Sequence, residues 1–393
     1  MPNIRFLKLF GCTLSGDFGD LFSELRWLTW YRCPKGMQAN NFCPKNLLIL
    51  DLTCSSIDEH WDGWTQLKVA TRLRVLQMSA CLKLSMVPDL SAFLFLETLI
   101  LKECRKLVTL PNSIGMLNYL VELDVSDTCI SELPDTIVDL RSLKVLKMNR
   151  SRMQKLPEAI VNLDKLEEIY GEGCVQLEMI PGDIVRLQFL KILKLTGTHV
   201  KYVPNLPQSL VSPCLSSTVL EKDPDISNLV SLRNLELCFP LTFRDLPSMV
   251  PDPPSLEGAR VISSPYCKLE LSIITSISSY LGCFHCLKEL ELKNCSNLRC
   301  IGQLPSTLGR LTVGSCDLLE VVDLSNLSKF KNLKDLEVWR CWNLVEIKGV
   351  DELESLESIY IKYCISLLRF PSQSNWKKMK KWHVDVLGRI WQE

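Results

Sequence analysis

The residues best suited to chemistry by type are cysteines and histidines, and a group of them lies near position 285. Cys283, His285 and Cys286 are followed by Cys295 and Cys300, and thiolates with imidazole nitrogens are ligands that zinc prefers. Zinc sites commonly have a second close pair of ligands, whereas the interval from Cys295 to Cys300 is loose. Buried structural cysteines explain the group better, so we predict no metal site.

No other arrangement typical of catalysis occurs in the chain. The four histidines are scattered (His60, His199, His285 and His383), and none lies in a Ser-His-Asp or Cys-His context. The G-x-x-x-x-G-K-[ST] pattern that holds nucleotide phosphates is absent, and the G-x-G at 171–173 lacks the rest of a dinucleotide fingerprint. We therefore predict a protein that is not an enzyme and uses no cofactor.

Charge and hydropathy narrow the class of partner. The 393 residues include 45 basic and 45 acidic ones, and nucleic-acid binding needs a concentrated positive surface, so we predict none. A basic run near the C-terminus alternates with apolar residues, which fits a degenerate repeat with solvated lysines better than an anion-binding site. The run consists of Lys377, Lys378, Lys380 and Lys381.

The chain has no window of about 18 apolar residues, so we predict no membrane span. The N-terminus lacks a secretory signal, so we expect reduced thiols and a location in the cytoplasm, with the nucleus as a second compartment.

One pattern recurs along nearly the whole chain, Leu-x-x-Leu-x-Leu-x-x-Cys/Thr/Ser, with Ile, Val or Met in place of Leu. Most steps are 21 to 26 residues, the period of a leucine-rich repeat. We call the first residue of each copy its anchor. The anchors are Ile4, Leu25, Leu47, Leu73, Leu96, Leu120, Leu143, Leu166, Leu190, Leu232, Leu287, Leu308, Leu333, Leu356 and Met379.

The spacing of the repeat predicts its structure. Alternation in x-Leu-x-Leu-x is typical of a short strand, and stacked coils close a core that one coil cannot. Four middle copies add a Pro and then an Ile after Leu110, Leu133, Leu156 and Ile180, which favours short helical turns opposite the strands. The predicted fold is an α/β repeat: a leucine-rich-repeat solenoid (horseshoe) with a concave parallel β-sheet and short helices or irregular turns on the convex side.

Prolines and cysteines add two further predictions. Ten of the twenty prolines lie within 204–265, so we predict a repeat array over 1–204, an irregular Pro-rich segment with degenerate repeats over 205–286 and a second array over 287–393. Nine cysteines occupy one position of the repeat, where we expect small buried groups. They are Cys12, Cys33, Cys81, Cys104, Cys174, Cys295, Cys316, Cys341 and Cys364.

Residues two, four and six places after an anchor should point outward on the concave side. Aromatic residues among charges are common at the centres of protein interfaces, so we predict that this face binds a protein. Alternatively, these side chains are ordinary surface residues or pack on one another between coils. The candidates are Trp27, Tyr31, Glu122, Asp124, Glu168, Tyr170, Glu172, Glu289, Glu291, Asp335, Glu337, Trp339, Tyr360 and Lys362.

Three segments carry a resemblance to a known family. LRWLTWYRCP (25–34), NLLILDLTCSSIDEHWDGW (46–64) and the 73–107 stretch, in which PDLS precedes LETLILKEC, resemble the leucine-rich-repeat region of plant TIR-type nucleotide-binding disease resistance (immune receptor) proteins. The resemblance implies a region that recognises pathogen proteins and regulates a nucleotide-binding module in cis or in trans. The nucleotide-binding and TIR modules have no counterpart here, so the family's nucleotide chemistry is not carried over.

The expected partners follow from this resemblance. They are a pathogen protein or a nucleotide-binding receptor module, and an N-terminal coil without a polar cap predicts self-association as well. The alternative is a free-standing leucine-rich-repeat scaffold of the Ras-group type in intracellular signalling. A substrate-recruiting subunit of a ubiquitin ligase would need an F-box helical module, which we do not find.

Overall fold

The computed structural model describes residues 4–19, 21–217, 236–238, 276–277, 288–293, 298–302, 304–327, 332–368, 380–386 and 389–392. The chain forms two compact units: unit 1 is Met1–Leu190 with Gly197–His199, and unit 2 is Lys191–Thr196 with Val200–Glu393. Most of the Pro-rich segment predicted over 205–286 lies outside the described residues, so the three-part division stays a prediction.

Unit 1 is a stack of coils, each of which contributes one short strand to a parallel sheet. The strands β1, β3 and β5 to β10 pair in chain order, while β2 pairs with β4. Equivalent leucines lie side by side, since Leu28 is in register with Leu50 and Leu50 with Leu76. The strands are β1 (Phe6–Phe10), β2 (Ser15–Asp17), β3 (Trp27–Tyr31), β4 (Gln38–Asn40), β5 (Ile49–Asp51), β6 (Val75–Gln77), β7 (Thr98–Ile100), β8 (Glu122–Asp124), β9 (Val145–Lys147) and β10 (Glu168–Tyr170).

Unit 2 repeats this architecture, and in its described part β12 also pairs with β13 in parallel. The sheet that continues the repeat pairs β15, β17, β19, β21 and β22 in parallel, with β23 antiparallel to β22. A second sheet has the order β14, β16, β18 and β20. The strands are β11 (Ile192–Thr198, which contains the boundary between the units), β12 (Ser212–Ser217), β13 (Glu236–Cys238), β14 (Ser276–Ile277), β15 (Glu289–Lys293), β16 (Cys300–Ile301), β17 (Arg310–Gly314), β18 (Val321–Asp323), β19 (Asp335–Trp339), β20 (Glu346–Lys348), β21 (Ser358–Lys362), β22 (Lys381–Val386) and β23 (Arg389–Gln392).

The leucines of the repeat form the core of each stack. Leu123 and Leu146 are fully buried in unit 1, as Leu336 and Ile359 nearly are in unit 2, and the residues between them face outward. The predicted solenoid of stacked coils with a parallel sheet is confirmed. Among the described residues, no helix is long and apolar enough to cross a membrane.

The turns opposite the strands confirm the second signature of the middle repeats. Four 3₁₀ helices begin directly after Pro111, Pro134, Pro157 and Pro181 and bury one isoleucine each. Proline suits this place because its fixed φ prepares the turn and it needs no donor. The helices are Asn112–Met116, Asp135–Asp139, Glu158–Asn162 and Gly182–Arg186, with further short helices at Gly63–Leu67, Ser325–Leu327 and Val350–Glu352.

In twelve of the described coils, the chain leaves the strand through a residue in the left-handed backbone conformation, seven places after the anchor. Most of these residues are not glycine, although left-handed backbone costs other residues about 1–2 kcal/mol. The stacking of the coils must therefore stabilise the corner. The corner residues are Gly11, Arg32, Cys54, Ala80, Glu103, Asp127, Arg150, Gly173, Gly197, Ser315, Arg340 and Tyr363, with φ between 52° and 72°.

The repeated cysteines follow the corner and point into the core. The thiols of Cys81, Cys104 and Cys174 donate to carbonyls of the preceding coil, as from Cys104 Sγ to the Met78 carbonyl at 2.9 Å. Serine or threonine fills this position elsewhere. Ser55 donates in the same way to the Trp30 carbonyl, whereas Thr128 donates to the Val125 carbonyl of its own coil. Seven of the nine predicted residues are buried free thiols: Cys33, Cys81, Cys104, Cys174, Cys316, Cys341 and Cys364.

Cys12 departs from this prediction and Cys295 lies outside the described residues. Cys12 is exposed, because no coil of the described chain covers the outer side of the first coil. Its carbonyl is nevertheless used, since Trp30 Nε1 donates to it at 2.9 Å.

Candidate protein-binding face

On the strand face of unit 1, two of the predicted acidic residues, Glu122 and Glu168, accept hydrogen bonds from neighbouring side chains. Lys147 Nζ donates to Glu122 Oε1 at 2.7 Å, and Tyr170 Oη donates to Glu168 Oε2 at 2.8 Å. Burial, with the Glu168 carboxylate beside it, raises the pKa of Tyr170 to about 12. Glu172 is half-buried at the end of this row. The first contact ties β9 to β8, the second lies within β10, and both reduce the charge that a ligand would meet.

Asp124 was predicted as an exposed contact, and the structure corrects this. It is only 8% exposed and accepts a hydrogen bond from the Ser126 backbone N–H at 2.9 Å. A short Asp side chain can bond the backbone two residues on, so Asp124 shapes the corner that follows its strand.

Trp27 and Tyr31 belong to an aromatic patch on the first two coils. Trp27 meets Phe6 edge-on and Tyr31 stacks on Phe10, each with ring centroids 5.2 Å apart. The Arg32 guanidinium lies 5.4 Å from the Phe10 ring centre and 5.7 Å from that of Tyr31. The prediction omitted Phe6 and Phe10, although both stand at outward positions counted from Ile4.

In unit 2, β19 and β21 bring four predicted residues together. Glu337 and Trp339 on β19 and Tyr360 and Lys362 on β21 line an open cleft of about 460 Å³. Arg340 and Tyr363 complete the lining. The cleft offers three aromatic rings, one carboxylate and two cations to a ligand.

Gly314 on β17 gives Trp339 its position. A Cβ added at Gly314 would lie 2.3 Å from Trp339 Cε2 and 2.4 Å from Cζ2, so the indole occupies the space that any other side chain would need. Gly314 is in register with Trp339, and Trp339 with Lys362 on the opposite side. The ring therefore leans back over β17 and leaves space open above β21.

Two further contacts hold the other aromatic rings of the cleft. Tyr360 stacks on His383 of β22 with ring centroids 5.2 Å apart and an interplanar angle of 21°. Lys362 Nζ lies 4.8 Å from the centre of the Tyr363 ring. Side chains held by stacking lose less conformational entropy on binding, which favours their use as central contacts of an interface.

The other predicted residues of unit 2 lie beside the cleft rather than in it. Asp335 is 3.3 Å from Arg310 Nη2 on the neighbouring strand. Glu289 is exposed and Glu291 is half-buried on β15, which is two strands from β19.

Sequence reasoning missed Arg340 and Tyr363 because it counted outward positions only along the strand. Both are corner residues with left-handed backbone, with φ of 53° and 57°. This conformation turns their side chains towards the ends of β19 and β21. The available signal was their constant distance of seven places from the anchor.

The residues suspected of other chemistry bring no site together in the described part of the chain. Within it, no group of three or more His, Cys, Asp or Glu side chains could hold a metal ion. Cys283, His285, Cys286 and Cys295 lie outside it. So do Lys377 and Lys378, whereas Lys380 Nζ lies 2.6 Å from Glu357 Oε2.

Comparison with known proteins shows which leucine-rich-repeat proteins the chain resembles. A model described as a leucine-rich repeat region matches residues 53–178. Disease resistance protein RPS6 of Arabidopsis thaliana is 36% identical over 130 residues, which are 30% of this chain and 11% of that protein. Protein SUPPRESSOR OF npr1-1, CONSTITUTIVE 1 of the same plant is 31% identical over 315 residues, 65% of this chain and 22% of that protein. The chain thus spans about a tenth to a fifth of the length of these relatives.

Solved structures support the fold independently of sequence. A leucine-rich-repeat protein of Leptospira interrogans superposes with a TM-score of 0.61 at 18% identity, covering 96% of this chain and 93% of that one. A functional domain of an internalin of Listeria monocytogenes, described as including a cysteine ladder, gives 0.54 at 16% identity over 87% of this chain and 64% of that one. Together with the repeat geometry, these findings identify the chain as a leucine-rich-repeat region that is similar to those of plant disease resistance proteins.

Proposed function

We propose that this chain is the protein-binding region of a plant intracellular immune receptor, and that it recognises pathogen proteins and regulates a nucleotide-binding module in cis or in trans. The observation that carries the proposal is the cleft between β19 and β21. There, Trp339, Tyr360 and Tyr363 are held in place among Glu337, Arg340 and Lys362. Aromatic residues and arginine are enriched at the centres of protein interfaces.

The contrast between the two units supports the choice of this cleft. In unit 1, Glu122 is paired with Lys147, and Asp127 forms a two-point pair with Arg150. Among the described residues, Glu337 and Arg340 form no ion pair. A partner therefore gains more by pairing with the cleft than with the acids of unit 1.

The proposed regulation is a shift between two states. A pathogen protein that binds the cleft in only one of them moves the equilibrium by its difference in affinity. The nucleotide-binding module, in this chain's own receptor or in another, is the element whose state changes. We place this activity in the cytoplasm, with the nucleus as a second compartment, where thiols such as Cys104 stay reduced.

The test is recovery of partners from plant tissue. The tagged full chain is expressed in leaves with and without infection, and bound proteins are identified by mass spectrometry. We expect the wild type to recover a nucleotide-binding receptor, or a pathogen protein after infection, and Trp339→Ala with Tyr360→Ala to lose it. The control is Phe189→Ala with Tyr202→Ala, which removes two exposed rings outside the cleft.

The outcomes separate the alternatives. Equal recovery by the cleft variant and the control, with unchanged melting curves, would remove the cleft from the proposal. Recovery of kinases, phosphatases or small GTPases would favour the free-standing scaffold instead.

A further inference from the structure

An apolar surface lies beside the cleft, on the loops that follow β19 and β21. Trp342, Val345, Ile365 and Leu368 form this surface, which we call the flank patch. Their side chains are 42%, 38%, 53% and 74% exposed, and large apolar residues left exposed side by side mark interaction sites.

The repeat places these four residues together. Trp342 and Ile365 stand nine places after their anchors, and Val345 and Leu368 stand twelve places after them. The Leu368 backbone N–H donates to the Val345 carbonyl at 3.0 Å, so the two coils are adjacent there. In the preceding coil, the same positions hold the acids Asp317 and Glu320, which end the patch on that side.

The flank patch is continuous with the cleft through the corner residues. Arg340 precedes Trp342 by two residues and Tyr363 precedes Ile365 by two, with a buried cysteine between each pair. The Arg340 backbone N–H donates to the Lys362 carbonyl at 2.9 Å, so the coils are also adjacent at the corner. This edge of unit 2 thus presents the rings of the cleft, then a cation, then the large apolar side chains of the flank patch.

The charge at the corner selects the partner. Arg340 and Lys362 both line the cleft where it meets the patch, and a guanidinium binds a carboxylate through two parallel hydrogen bonds. We propose that the partner of this edge is a protein segment that places an acidic side chain at Arg340 and large aliphatic or aromatic side chains on the flank patch. This inference rests on the proposed function, and it names the chemical class of the protein recognised.

The experiment selects short peptides from a random phage-displayed library on the immobilised full chain, and then measures synthetic copies by fluorescence anisotropy. We expect the selected peptides to carry Asp or Glu close to Leu, Ile, Phe or Trp. Arg340→Glu should reverse the preference from acidic to basic peptides. Ile365→Ser with Leu368→Ser should weaken binding about tenfold or more, as expected when apolar contacts at the centre of an interface are removed.

Matched controls occupy the same repeat positions in unit 1. Arg32→Gln changes another corner arginine, and Leu82→Ser with Val108→Ser changes two comparably exposed residues nine and twelve places after their anchors. Neither control should alter peptide selection. Melting curves identify any variant that has lost its fold.

The outcomes distinguish failure of the inference about the flank patch from failure of the proposed function of the cleft. Peptides that depend on Trp339 but not on Arg340, Ile365 or Leu368 would overturn the inference and leave the cleft as the binding site. Selection of basic peptides by the wild type would overturn it too. A library that yields no peptide sensitive to Trp339→Ala would contradict both the inference and the proposed function.

Discussion

Replacing Gly314 by alanine should close the cleft without unfolding the protein. Gly314 is on β17, its backbone is not left-handed, and alanine is therefore unstrained there. The added Cβ would, however, lie 2.3 Å from Trp339 Cε2, whereas ordinary contacts begin near 3.4 Å. The indole must move by about 1.1 Å or more, and the open side is the cleft towards Lys362.

The expected magnitudes differ for stability and for binding. Overpacking a closed core costs roughly 1–3 kcal/mol, but here the ring can move into a cleft of about 460 Å³. We therefore expect a loss of unfolding free energy below about 1 kcal/mol. Binding should weaken as it does for loss of a central aromatic anchor, by about 2 kcal/mol or roughly 30-fold in Kd.

The movement of the ring can be followed without a ligand. The chain has nine tryptophans, and fluorotryptophan labelling gives each a fluorine resonance, of which Trp339→Phe identifies one. Gly314→Ala should shift that resonance and change its accessibility to a quencher, while the other resonances stay in place. Gly36→Ala is the control, because no atom lies within 4 Å of a Cβ added there.

Two results would refute this reasoning. An unchanged Trp339 resonance in Gly314→Ala would show that the ring does not depend on the glycine. A shifted resonance with unchanged Kd for a partner recovered from leaf tissue would show that the cleft is not the binding site.

Three further predictions concern the stack itself. Leu123→Ala should cost about 2–5 kcal/mol and first reduce hydrogen-exchange protection in adjacent coils, whereas Leu94→Ala at an exposed position should cost little; equal effects would contradict the stacked core. Hydrogen bonds from Lys380 and Lys334 hold the pKa of Glu357 below its usual 4.5, so its contribution to stability is present above pH 4.5 and lost on acidification, and Glu357→Gln should flatten thermal melting against pH in that range. Burial raises the pKa of Cys33 from 9.0 to about 12, so the stability that its protonated thiol contributes is complete below pH 9 and is lost as the pH rises towards 12. Alkylation of the native protein at pH 8 should therefore modify the exposed Cys12 and spare Cys33, and the reverse order would overturn the burial argument.

The repeat could be predicted because one period fixes the environment of every equivalent residue. Leu123 and Leu146 lie in register on adjacent strands and are buried by equivalent neighbours, so a single sequence pattern describes both. The prolines at 111, 134, 157 and 181 likewise start equivalent turns. Sequence reasoning succeeds where local pattern and stacking agree.

The cleft could not be predicted in this way because it depends on differences between coils. The direction of the Trp339 ring is set by the missing side chain of Gly314, 25 residues earlier in the chain. The inclusion of Arg340 and Tyr363 depends on a left-handed backbone that their residue types do not favour. Asp124 failed as a surface prediction for a local reason, since its carboxylate bonds the Ser126 N–H.

The independence of the coils explains how one chain can carry both kinds of surface. A solenoid is stabilised mainly by contacts within each coil and with its neighbours, and the buried leucines supply these contacts whatever the outward residues are. In unit 1, charges at the outward and corner positions pair across coils, as Lys147 does with Glu122 and Arg150 with Asp127. Between β19 and β21, these positions include the rings of Trp339, Tyr360 and Tyr363, and the missing side chain of Gly314 leaves room for the Trp339 indole. Substitutions at Trp339 or Tyr360 should therefore alter binding with little effect on folding. A binding surface with this property can change its specificity by substitution while the fold is kept.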